Sequence, residues 1–599
     1  MSTQVLRIFD ILHHFKAPNH PKGRQPGLWA FRNGSWIKWD YQGIMSGISM
    51  VREWLDKQGF VAGDRILTMP EQGAPEWLII EMACWMNKLV VVPVHTTQSD
   101  AVIQEIFELV NPVYFITTNH GQYNKLRYLA PKDRGGHLEC RAEHVLPFLM
   151  GMQQPRPRPC GIPDISKVGE EEVACIMFTS GTTGMPKGAV LTHHNIVSNV
   201  KAVGDIVPLK PGHRVLSFLP YSHIFERTAC LTYLYLGVDV YFTSGKEHLL
   251  RDFQQVKPHF FTAVPRMLEK TYDYVIGMQL SANPLKRWVS RWAIRVGRRY
   301  GTHKGRGWLY GMKLWASRVL YFSFWHRRIG GHVRWVAVGA AALPPTIGRL
   351  FGAAGVKIRE GYGMTETSPV ISFNPFQKGS NVPGSVGLPI KGVQVRLDKE
   401  SEESAYGEIC VKGPNVMKGY FNNPEATKRV FTPDGWLRTG DIGMVDEAGY
   451  LYITDRAKDI FKTSSGKYIS PAKMEQRMCE SAYIHQSLYI GANRAYPTAI
   501  IVPNFLLLKK WAKRNKIHWT APQFMVHNVM IRKKLQEQLD DINRTLPNYK
   551  RIRDFVLCHE PWTVEQGDIS ASLKIIRKKL LSKYAKQIDK LYPEYHREG

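Results

Sequence analysis

The most constraining stretch of the chain is residues 179–188, which read Thr-Ser-Gly-Thr-Thr-Gly-Met-Pro-Lys-Gly. It follows an apolar run, Val173 to Phe178, which predicts a strand ending at this loop. Glycine allows backbone N–H groups to approach a ligand closely, and hydroxyl side chains add further donors. With a lysine cation beside them, such donors suit a polyphosphate. The candidate binding residues are Thr179, Ser180, Gly181, Thr182, Thr183, Gly184 and Lys187.

This loop differs from the phosphate loop of kinases and GTPases. In that motif a lysine follows glycine directly and precedes Ser or Thr, whereas Lys187 lies between Pro186 and Gly188. Proline also disfavours a helix running through the lysine. The alternative is an ordinary surface turn. Composition, spacing and the preceding strand together argue against that alternative.

Length and cysteine usage limit the class of protein. The chain has 599 residues, enough for several domains. Its eight cysteines include no CxxC pair, which predicts neither a zinc knuckle nor a redox motif and favours a reducing compartment. No signal peptide is evident in Met1 to His20, and no uncharged apolar run approaches the ~18 residues of a membrane span. We therefore expect a cytoplasmic protein, either soluble or peripheral to the inner face of the membrane.

The formal net charge of +29 is concentrated in one region. Residues 274–359 contain no Asp or Glu, while Lys, Arg and Trp recur throughout. If Pro284 to Arg299 is helical, four arginines share one face, with Trp288 and Trp292 on the adjacent face. The four are Arg287, Arg291, Arg295 and Arg298. The alternatives are a solvated basic face, contact with an anionic membrane through residues 284–335, and nucleic acid, for which no specific motif is visible.

The order of predicted elements indicates an α/β fold. Helix-like and strand-like segments alternate over residues 41–118 and again over 215–362, which predicts two helix-covered parallel-sheet subdomains. After residue 386, short strands between glycine-rich turns predict a small β-rich subdomain. A charged segment begins at Asp455, and a smaller α+β domain with a basic end follows. We place the domain boundary at Thr454, giving domains 1–454 and 455–599.

Six further segments carry chemistry in a fixed order along the chain. They are residues 219–227 with His223, 339–344 (Gly-Ala-Ala-Ala-Leu-Pro), 360–367 (Glu-Gly-Tyr-Gly-Met-Thr-Glu-Thr), 435–441 ending in Asp441, 455–458 (Asp-Arg-Ala-Lys), and 567–577 with Lys574. With the glycine loop, these segments resemble the core motifs of the adenylate-forming (AMP-binding) superfamily, over most of the chain. The Ser-His-Ile-Phe-Glu-Arg turn, residues 262–270 and the basic stretch before Gly339 most resemble long-chain fatty acid–CoA ligases.

The resemblance implies a reaction in two steps. A carboxylate attacks the α-phosphorus of ATP, giving an acyl-adenylate and pyrophosphate, and the thiol of coenzyme A then displaces AMP. The substrates implied are a fatty acid, ATP with Mg²⁺, and coenzyme A. The alternatives are an acyl-adenylate ligase that loads a carrier protein, an aryl or medium-chain acid–CoA ligase, and a catalytically silent binding protein. The oligomeric state stays open, with a homodimer as one alternative.

The resemblance also implies a role for each motif residue. The glycine loop and Lys187 would hold the β- and γ-phosphates, Thr365 would contact the α-phosphate, and Glu366 would ligate Mg²⁺. Lys574 would bridge the carboxylate and α-phosphate, and His223 would line the acyl pocket. The adenine slot would comprise Gly339, Ala340, Ala341, Gly361, Tyr362 and Gly363, and Asp441 and Arg456 would hold the ribose. The C-terminal domain would rotate about a hinge at Lys458 between the two steps, bringing the face at residues 464–467 to the coenzyme.

Overall fold

The described chain has three sheets before residue 457, a two-stranded sheet within residues 461–469 and a three-stranded sheet nearer the C-terminus. The computed structural model describes residues 4–15, 26–71, 73–117, 120–129, 166, 168–180, 186–269, 271–272, 283–301, 307–377, 379–399, 401–456, 461–462, 468–492, 494, 496–563, 566–569 and 575–592.

The strands are β1 (Leu28–Arg32), β2 (Ser35–Trp39), β3 (Arg65–Thr68), β4 (Val90–Pro93), β5 (Tyr114–Ile116), β6 (Val173–Ser180), β7 (Pro186–Thr192), β8 (Arg214–Ser217), β9 (Asp239–Phe242), β10 (Phe260–Ala263), β11 (Trp335–Val338), β12 (Lys357–Gly363), β13 (Val370–Phe373), β14 (Leu388–Pro389), β15 (Gln394–Asp398), β16 (Gly407–Lys412), β17 (Gly419–Tyr420), β18 (Leu437–Val445), β19 (Leu451–Arg456), β20 (Phe461–Lys462), β21 (Tyr468–Ile469), β22 (Ile484–Ile490), β23 (Thr498–Pro503) and β24 (Asp554–Leu557).

The helices are α1 (Ile11–Phe15), α2 (Tyr41–Lys57), α3 (Glu76–Met86), α4 (Asp100–Val110), α5 (His120–Leu129), α6 (His193–Gly204), α7 (Ile224–Tyr235), α8 (Leu249–Val256), α9 (Pro284–Gly297), α10 (Trp308–Ser317), α11 (Ser323–Arg328), α12 (Pro345–Ala353), α13 (Pro424–Val430), α14 (Pro471–Cys479), α15 (Phe505–Arg514), α16 (Pro522–Met525), α17 (Val529–Asn543), α18 (Arg577–Lys583) and α19 (Ala585–Asp589).

Two large sheets are parallel in their centres; the nine-stranded sheet is antiparallel at both edges, and the six-stranded sheet is antiparallel at its β17 edge and parallel at its β5 edge. One has six strands in the order β17-β7-β6-β4-β3-β5, and the other has nine in the order β14-β13-β12-β11-β10-β8-β9-β1-β2. The α/β class predicted from the sequence is confirmed. The antiparallel edges were not predicted, because a short hairpin such as β1–β2 interrupts the helix–strand rhythm without changing its period.

The glycine-rich loop connects β6 and β7, which pair antiparallel with Thr179 opposite Lys187 and Ser180 opposite Pro186. Lys187 therefore lies in a strand, in agreement with the expectation that no helix runs through it. A four-stranded antiparallel sheet, β15-β16-β18-β19, forms the small β-rich part after residue 386. The C-terminal part has the three-stranded sheet β22-β23-β24, with its own buried core.

Helix α3 is buried on every side, because all eleven of its residues lie in the interior. A helix that is apolar all round belongs in a core, yet α3 carries Glu81 in its middle. This carboxylate pairs with Arg227 of α7, and both side chains are fully buried. Helix α3 connects strands of the six-stranded sheet and α7 connects strands of the nine-stranded sheet, so the ion pair joins their helical layers.

The ion pair is only partly satisfied by hydrogen bonds. Burial raises the pKa of Glu81, and the charge of Arg227 opposes that shift. The Arg227 guanidinium also lies 4.8 Å from the centroid of the Tyr221 ring. Nε and Nη2 of Arg227 and Oε1 of Glu81 have no hydrogen-bond partner among the described residues. Removing either charge alone would therefore leave the other buried without compensation.

The described cysteines are thiols held away from water. Cys84, Cys175, Cys230, Cys410 and Cys558 are buried, and Cys479 is half-buried. Burial raises the pKa of every one of these thiols, to about 12 for Cys175 and Cys479 and to about 11 for Cys410 and Cys558.

None of the described helices has the length and hydropathy that crossing a bilayer requires.

The substitution Arg227→Met tests the buried pair. It leaves the Glu81 carboxylate buried without its cation, and we expect a loss of about 3–5 kcal/mol of unfolding free energy. The double variant Glu81→Met/Arg227→Met removes both charges and should recover most of that loss. Urea denaturation followed by tryptophan fluorescence measures both, with the exposed Arg291→Met as the matched control. A double variant as unstable as the single one would contradict the role given to the pair.

Candidate active site

The turn between β12 and β13 carries Thr365 and Glu366, and side chains from distant segments fix its shape. The Thr367 hydroxyl donates to the carbonyl of Pro369 at 2.6 Å. The side-chain amide of Asn199 donates to the carbonyl of Val370 at 2.8 Å, and that of Asn415 donates to the carbonyl of Thr367 at 2.9 Å. Since buried backbone groups need such partners, the turn is held in one conformation before any ligand arrives.

Glycine is required where this turn begins. A Cβ at Gly363 would lie 1.9 Å from the carbonyl oxygen of Pro369, so no other residue fits there without moving the backbone. Gly361 is nearly as constrained, because a Cβ would lie 2.6 Å from the ring of Phe373. The two predicted glycines therefore let β12 and β13 approach each other closely, which sets the position of Thr365 and Glu366.

A cation, an aromatic ring and a carboxylate lie in a row beside the glycine loop. Nζ of Lys187 lies 5.3 Å from the centroid of the Tyr420 ring, and the Tyr420 hydroxyl donates to Oε1 of Glu366 at 2.8 Å. Burial, and secondarily the charge of Glu366, raise the pKa of the Tyr420 hydroxyl, so it keeps its proton for this hydrogen bond. Strand β17 brings Tyr420 here by pairing with β7 at Ala189.

Sequence reasoning did not identify Tyr420. Its strand has two residues, Gly419 and Tyr420, and its partner strand lies more than two hundred residues earlier in the chain. The available signal was the pair of a glycine and an aromatic residue in a segment without helical or strand periodicity. That signal is too common to select one residue.

The acidic side chains beside the glycine loop suit a Mg²⁺ ion that is coordinated mainly by a substrate. Mg²⁺ is usually bound through one or two carboxylates, with phosphate oxygens and water completing its shell. Glu366 is 6% exposed and supplies one carboxylate. The described residues include no cluster of three or more His, Cys, Asp or Glu that would form a complete protein cage. This donor set suits a metal that arrives with a polyphosphate.

Tyr362 and Asp441 form the second contact of the site. The Tyr362 hydroxyl donates to Oδ2 of Asp441 at 2.6 Å, and the Asp441 backbone N–H donates to Oγ1 of Thr439 at 3.1 Å. Asp441 lies in β18 opposite Arg456 in β19. Tyr362 precedes Glu366 by four residues, so this pair lies next to the Lys187–Tyr420–Glu366 row.

Residues 339–341 follow β11, directly beside Gly361 of the paired strand β12. A Cβ at Gly339 would lie 3.8 Å from the carbonyl oxygen of Gly361 and 3.4 Å from the ring of Phe225. Ala340 has φ of +69°, in the left-handed region that residues with a Cβ rarely adopt. Ala340 and Ala341 are exposed at this end of the sheet. Strained backbone at the end of a strand is a feature that concentrates at ligand sites.

The Glu360 carboxyl group contacts the backbone just after residues 339–341. Its Oε1 accepts a hydrogen bond from the backbone N–H of Leu343 at 3.2 Å. Burial raises the pKa of this carboxyl to about 7. The slot is therefore lined by backbone, an aromatic ring and a carboxyl group whose charge is largely suppressed below neutral pH.

His223 immediately precedes α7 and faces another histidine. The centroids of the His223 and His95 rings are 5.1 Å apart. Burial lowers the pKa of His223, so its imidazole is neutral near pH 7, and its Nε2 has no hydrogen-bond partner within the described chain. Five residues further on, Thr228 donates to the carbonyl of Ser368 at 3.2 Å. Helix α7 thereby ties His223 to the turn that carries Glu366.

The structure thus brings Lys187, Glu366, Tyr362 and Asp441 to one edge of the two large sheets, with His223 connected to them through α7. For Ser180 and Arg456 it describes the backbone only, at the ends of β6 and β19. The predicted residues Gly181, Thr182, Thr183, Gly184, Lys458 and Lys574, and the face at residues 464–467, lie outside the described residues. Thr179 donates through Oγ1 to the carbonyl of Lys187 at 3.4 Å, within the β6–β7 hairpin.

The C-terminal part contacts the N-terminal part through Arg266. Its Nη2 lies 2.8 Å from Nε2 of His485, and its Nη1 donates to the carbonyl of the same residue at 3.4 Å. Nearby, Glu480 has a raised pKa because of burial, which the positive charges of Arg298 and Arg349 oppose. The contact at Arg266 is polar.

Solved structures of known proteins share this fold. ATP-bound MatB from Rhodopseudomonas palustris aligns with a TM-score of 0.68 and 22% sequence identity, covering 97% of this chain and 99% of that one. The o-succinylbenzoate CoA synthetase MenE from Bacillus subtilis, in complex with an acyl-adenylate intermediate, aligns with a TM-score of 0.68 at 19% identity. That alignment covers 96% of this chain and 98% of the other.

Sequence relatives are closer. The human protein named long-chain-fatty-acid–CoA ligase 6 is 31% identical over 566 residues, covering 88% of this chain and 78% of that protein. The peroxisomal long chain acyl-CoA synthetase 7 of Arabidopsis thaliana is 31% identical over 551 residues, covering 87% and 77%. The family model described as AMP-binding enzyme matches residues 19–421, and the model of the AMP-binding enzyme C-terminal domain matches residues 458–596. The chain belongs to the AMP-binding enzyme family.

Proposed function

We propose that the protein activates a long-chain fatty acid with ATP and transfers the acyl group to coenzyme A, giving acyl-CoA, AMP and pyrophosphate. The observation that carries this proposal is the row formed by Lys187, Tyr420 and Glu366, beside the Tyr362–Asp441 pair. The row offers a cation for phosphate oxygens and a carboxylate for a divalent metal. The pair offers an aromatic face and a carboxylate for a nucleoside. The names of the relatives support the choice of substrate.

In the first step, a carboxylate oxygen of the fatty acid attacks the α-phosphorus and pyrophosphate leaves. Two anions must approach each other, so positioning and charge neutralisation are the main tasks of the protein. Lys187 and the glycine loop hold the departing phosphates, and Thr365 contacts the α-phosphate. Lys574 bridges the carboxylate and the α-phosphate. Glu366 would hold Mg²⁺, which would supply neutralisation of the phosphate charge.

Nucleoside binding uses the residues around β11, β12 and β18. The slot between residues 339–341 and Tyr362 accepts the adenine, whose flat ring suits exposed backbone beside an aromatic side chain. Asp441 accepts hydrogen bonds from the ribose hydroxyls, and Arg456 donates to the ribose oxygens. His223 lies at the acyl end of the site, where a neutral imidazole can donate a hydrogen bond to the reacting carboxylate without adding charge.

In the second step, the thiol of coenzyme A attacks the acyl carbon and AMP leaves. We place the domain boundary near Thr454, so that residues 455–599 form a lid that rotates about Lys458 between the two steps. The two family-model matches, which end at residue 421 and resume at 458, support this division. The described contacts across this boundary include the hydrogen bonds of Arg266 with His485 and of Ser470 with the carbonyl of Thr454, and polar contacts of this kind can exchange during such a rotation.

We place the reaction in the cytoplasm, at the inner face of a membrane that the protein contacts through residues 284–335. A long-chain fatty acid partitions into bilayers, so an enzyme that rests on the surface finds its substrate there at high concentration. The charge of this region supports such a contact, because residues 274–359 carry no carboxylate side chain.

The reaction itself is tested with purified protein, Mg-ATP and a mixture of medium- and long-chain fatty acids, with and without coenzyme A. Mass spectrometry of the products should show acyl-CoA, AMP and pyrophosphate, with long chains preferred. Acyl-adenylate that persists when coenzyme A is added would point to a carrier-protein acceptor. Absence of AMP with every acid would overturn the proposed function.

Lys574 is tested against a neighbouring lysine. Lys574→Ala should lower the rate of acyl-adenylate formation by a factor of roughly 100 or more, since one charged group at a developing anion is worth about 3 kcal/mol. Lys578→Ala is the matched control, because Lys578 is exposed on α18 and should leave the rate unchanged. The readout is fatty-acid-dependent exchange of labelled pyrophosphate into ATP. If the control variant loses more activity than Lys574→Ala, the bridging role belongs elsewhere.

Tyr420→Phe separates metal positioning from folding. It removes the hydroxyl that donates to Glu366 while keeping the ring, so we expect about tenfold more Mg²⁺ for half-maximal activity. Glu366→Gln should have a larger effect on the same curve. Tyr406→Phe, at a tyrosine that is 49% exposed, is the matched control. If Tyr420→Phe reached half-maximal activity at the same Mg²⁺ concentration as the wild type, the hydrogen bond would not position the metal ligand.

A further inference from the structure

One helical segment has an apolar face that nothing in the described chain covers. Helix α10, a π-helical turn at Arg318–Phe322, and α11 run without interruption from Trp308 to Arg328. Exposed apolar side chains recur along it with a spacing of three or four residues, which places them on one face. They are Trp308, Met312, Trp315 and Val319, with Leu309 and Leu320 beside them, and each is between 54% and 72% exposed.

The opposite face of the same segment is packed in the interior. Phe322 is fully buried and Leu314 packs against the core of the nine-stranded sheet. The hydroxyl of Tyr310 donates to the carbonyl of Val296 in α9 at 3.2 Å. The helix is therefore anchored, and its outer face is presented in a fixed orientation. Helix α9 adds Leu285 and Trp288 to the exposed apolar surface, 71% and 66% exposed.

This finding narrows the range considered in the sequence. Contact with an anionic membrane through residues 284–335 was one alternative, with the arginine stripe and paired tryptophans of Pro284 to Arg299 as its amphipathic helix. Trp292 instead lies half-buried against the core, and only Trp288 of that pair is exposed. The larger apolar face belongs to α10. Its sequence is apolar on both sides and so gives no sign of which side is uncovered.

Cations surround this apolar face. Arg291 and Arg295 on α9 and Lys313 on α10 are exposed, and none forms an ion pair with a carboxylate in the part of the chain described. No Asp or Glu occurs anywhere between residues 274 and 359. The surface therefore combines exposed apolar side chains with charged side chains that are all positive.

Charge selects the occupant of this surface. A second copy would bring the same positive rim against itself, and such like-charge contact is costly at an interface. An anionic bilayer matches both features, because aliphatic side chains enter the acyl region, tryptophan rings lie at the headgroup level, and Lys and Arg contact lipid phosphates. No described helix is suited to cross the bilayer, so the segment lies along it.

We propose that α10 and the π-helical turn that follows it form an interfacial membrane anchor. It inserts Trp308, Leu309, Met312, Trp315, Val319 and Leu320 into the headgroup region and adjoining acyl chains of the anionic leaflet that it faces. The proposal rests on the proposed function for its purpose, since the bilayer would deliver the fatty acid. The contact itself depends only on this surface.

The test is co-sedimentation of the full chain with vesicles of phosphatidylcholine, with and without phosphatidylglycerol. We expect strong binding to the anionic vesicles and weak binding to the neutral ones. Trp308→Gln/Trp315→Gln should lower the partition coefficient by roughly 10- to 100-fold, from the apolar area withdrawn. Arg291→Gln/Arg295→Gln/Lys313→Gln should abolish the preference for anionic lipid. Phe524→Gln, at a residue 63% exposed in the C-terminal part, is the matched control.

Two readouts separate this proposal from the proposed function. Ligase activity with fatty acid presented in detergent should be unchanged in every variant, because none of these residues belongs to the site. Vesicle binding without ligase activity would leave the anchor in place and overturn the proposed function. If the Trp308→Gln/Trp315→Gln variant bound vesicles as strongly as the wild type, the anchor would be overturned. The same would follow if sedimentation velocity showed that the wild type is a dimer and this variant a monomer.

Discussion

The ion pair between Glu81 and Arg227 sits where the helical layers of the two large sheets meet. The residues on either side of Arg227 extend its influence. Glu226 accepts hydrogen bonds from Ser217 at 2.5 Å and Thr262 at 2.7 Å, both in the nine-stranded sheet, and Thr228 donates to the turn beside Glu366. Three consecutive residues of α7 thus contact three separate parts of the molecule. The relative position of the sheets, and with it the site at their edge, depends on this one helical turn.

The site combines residues that are rigid with residues that are free to engage a ligand. The turn at residues 364–369 is fixed by Asn199, Asn415 and the Thr367 hydroxyl. Because the turn is already ordered, it needs no further reorganisation when charge develops at the reacting phosphorus. Lys187 lies in a strand, so the pairing of β6 and β7 fixes the backbone from which its side chain extends. Preorganisation is therefore concentrated in the turn at residues 364–369 and in the β6–β7 hairpin.

Much of the fold was predictable because local patterns decide it. The helix–strand alternation over residues 41–118 predicted the α/β class found there, and the glycine loop was correctly expected to follow a strand. Tyr362, Glu366 and Asp441 were proposed from short motifs; Tyr362 hydrogen bonds with Asp441, and Glu366 with Tyr420. Tyr420 and the Glu81–Arg227 pair were missed, because each depends on a partner far away in sequence. Residues 284–335, which were considered for membrane contact, include α10, but the sequence did not single out its uncovered face. Apolar residues on both sides of a helix predict burial, and only the packing shows which side has no neighbour.

The buried thiols have a chemical consequence for the reaction proposed here. An acyl-adenylate is a general acyl donor, and a reactive cysteine near it would be acylated in competition with coenzyme A. Thioester formation requires thiolate, and the raised pKa of each of the six described cysteines keeps its sulfur protonated near pH 7. The five buried side chains are also inaccessible, whereas Cys479 is half-buried. The six described thiols are therefore poor acyl acceptors at neutral pH, which favours transfer to the acceptor that enters from solution.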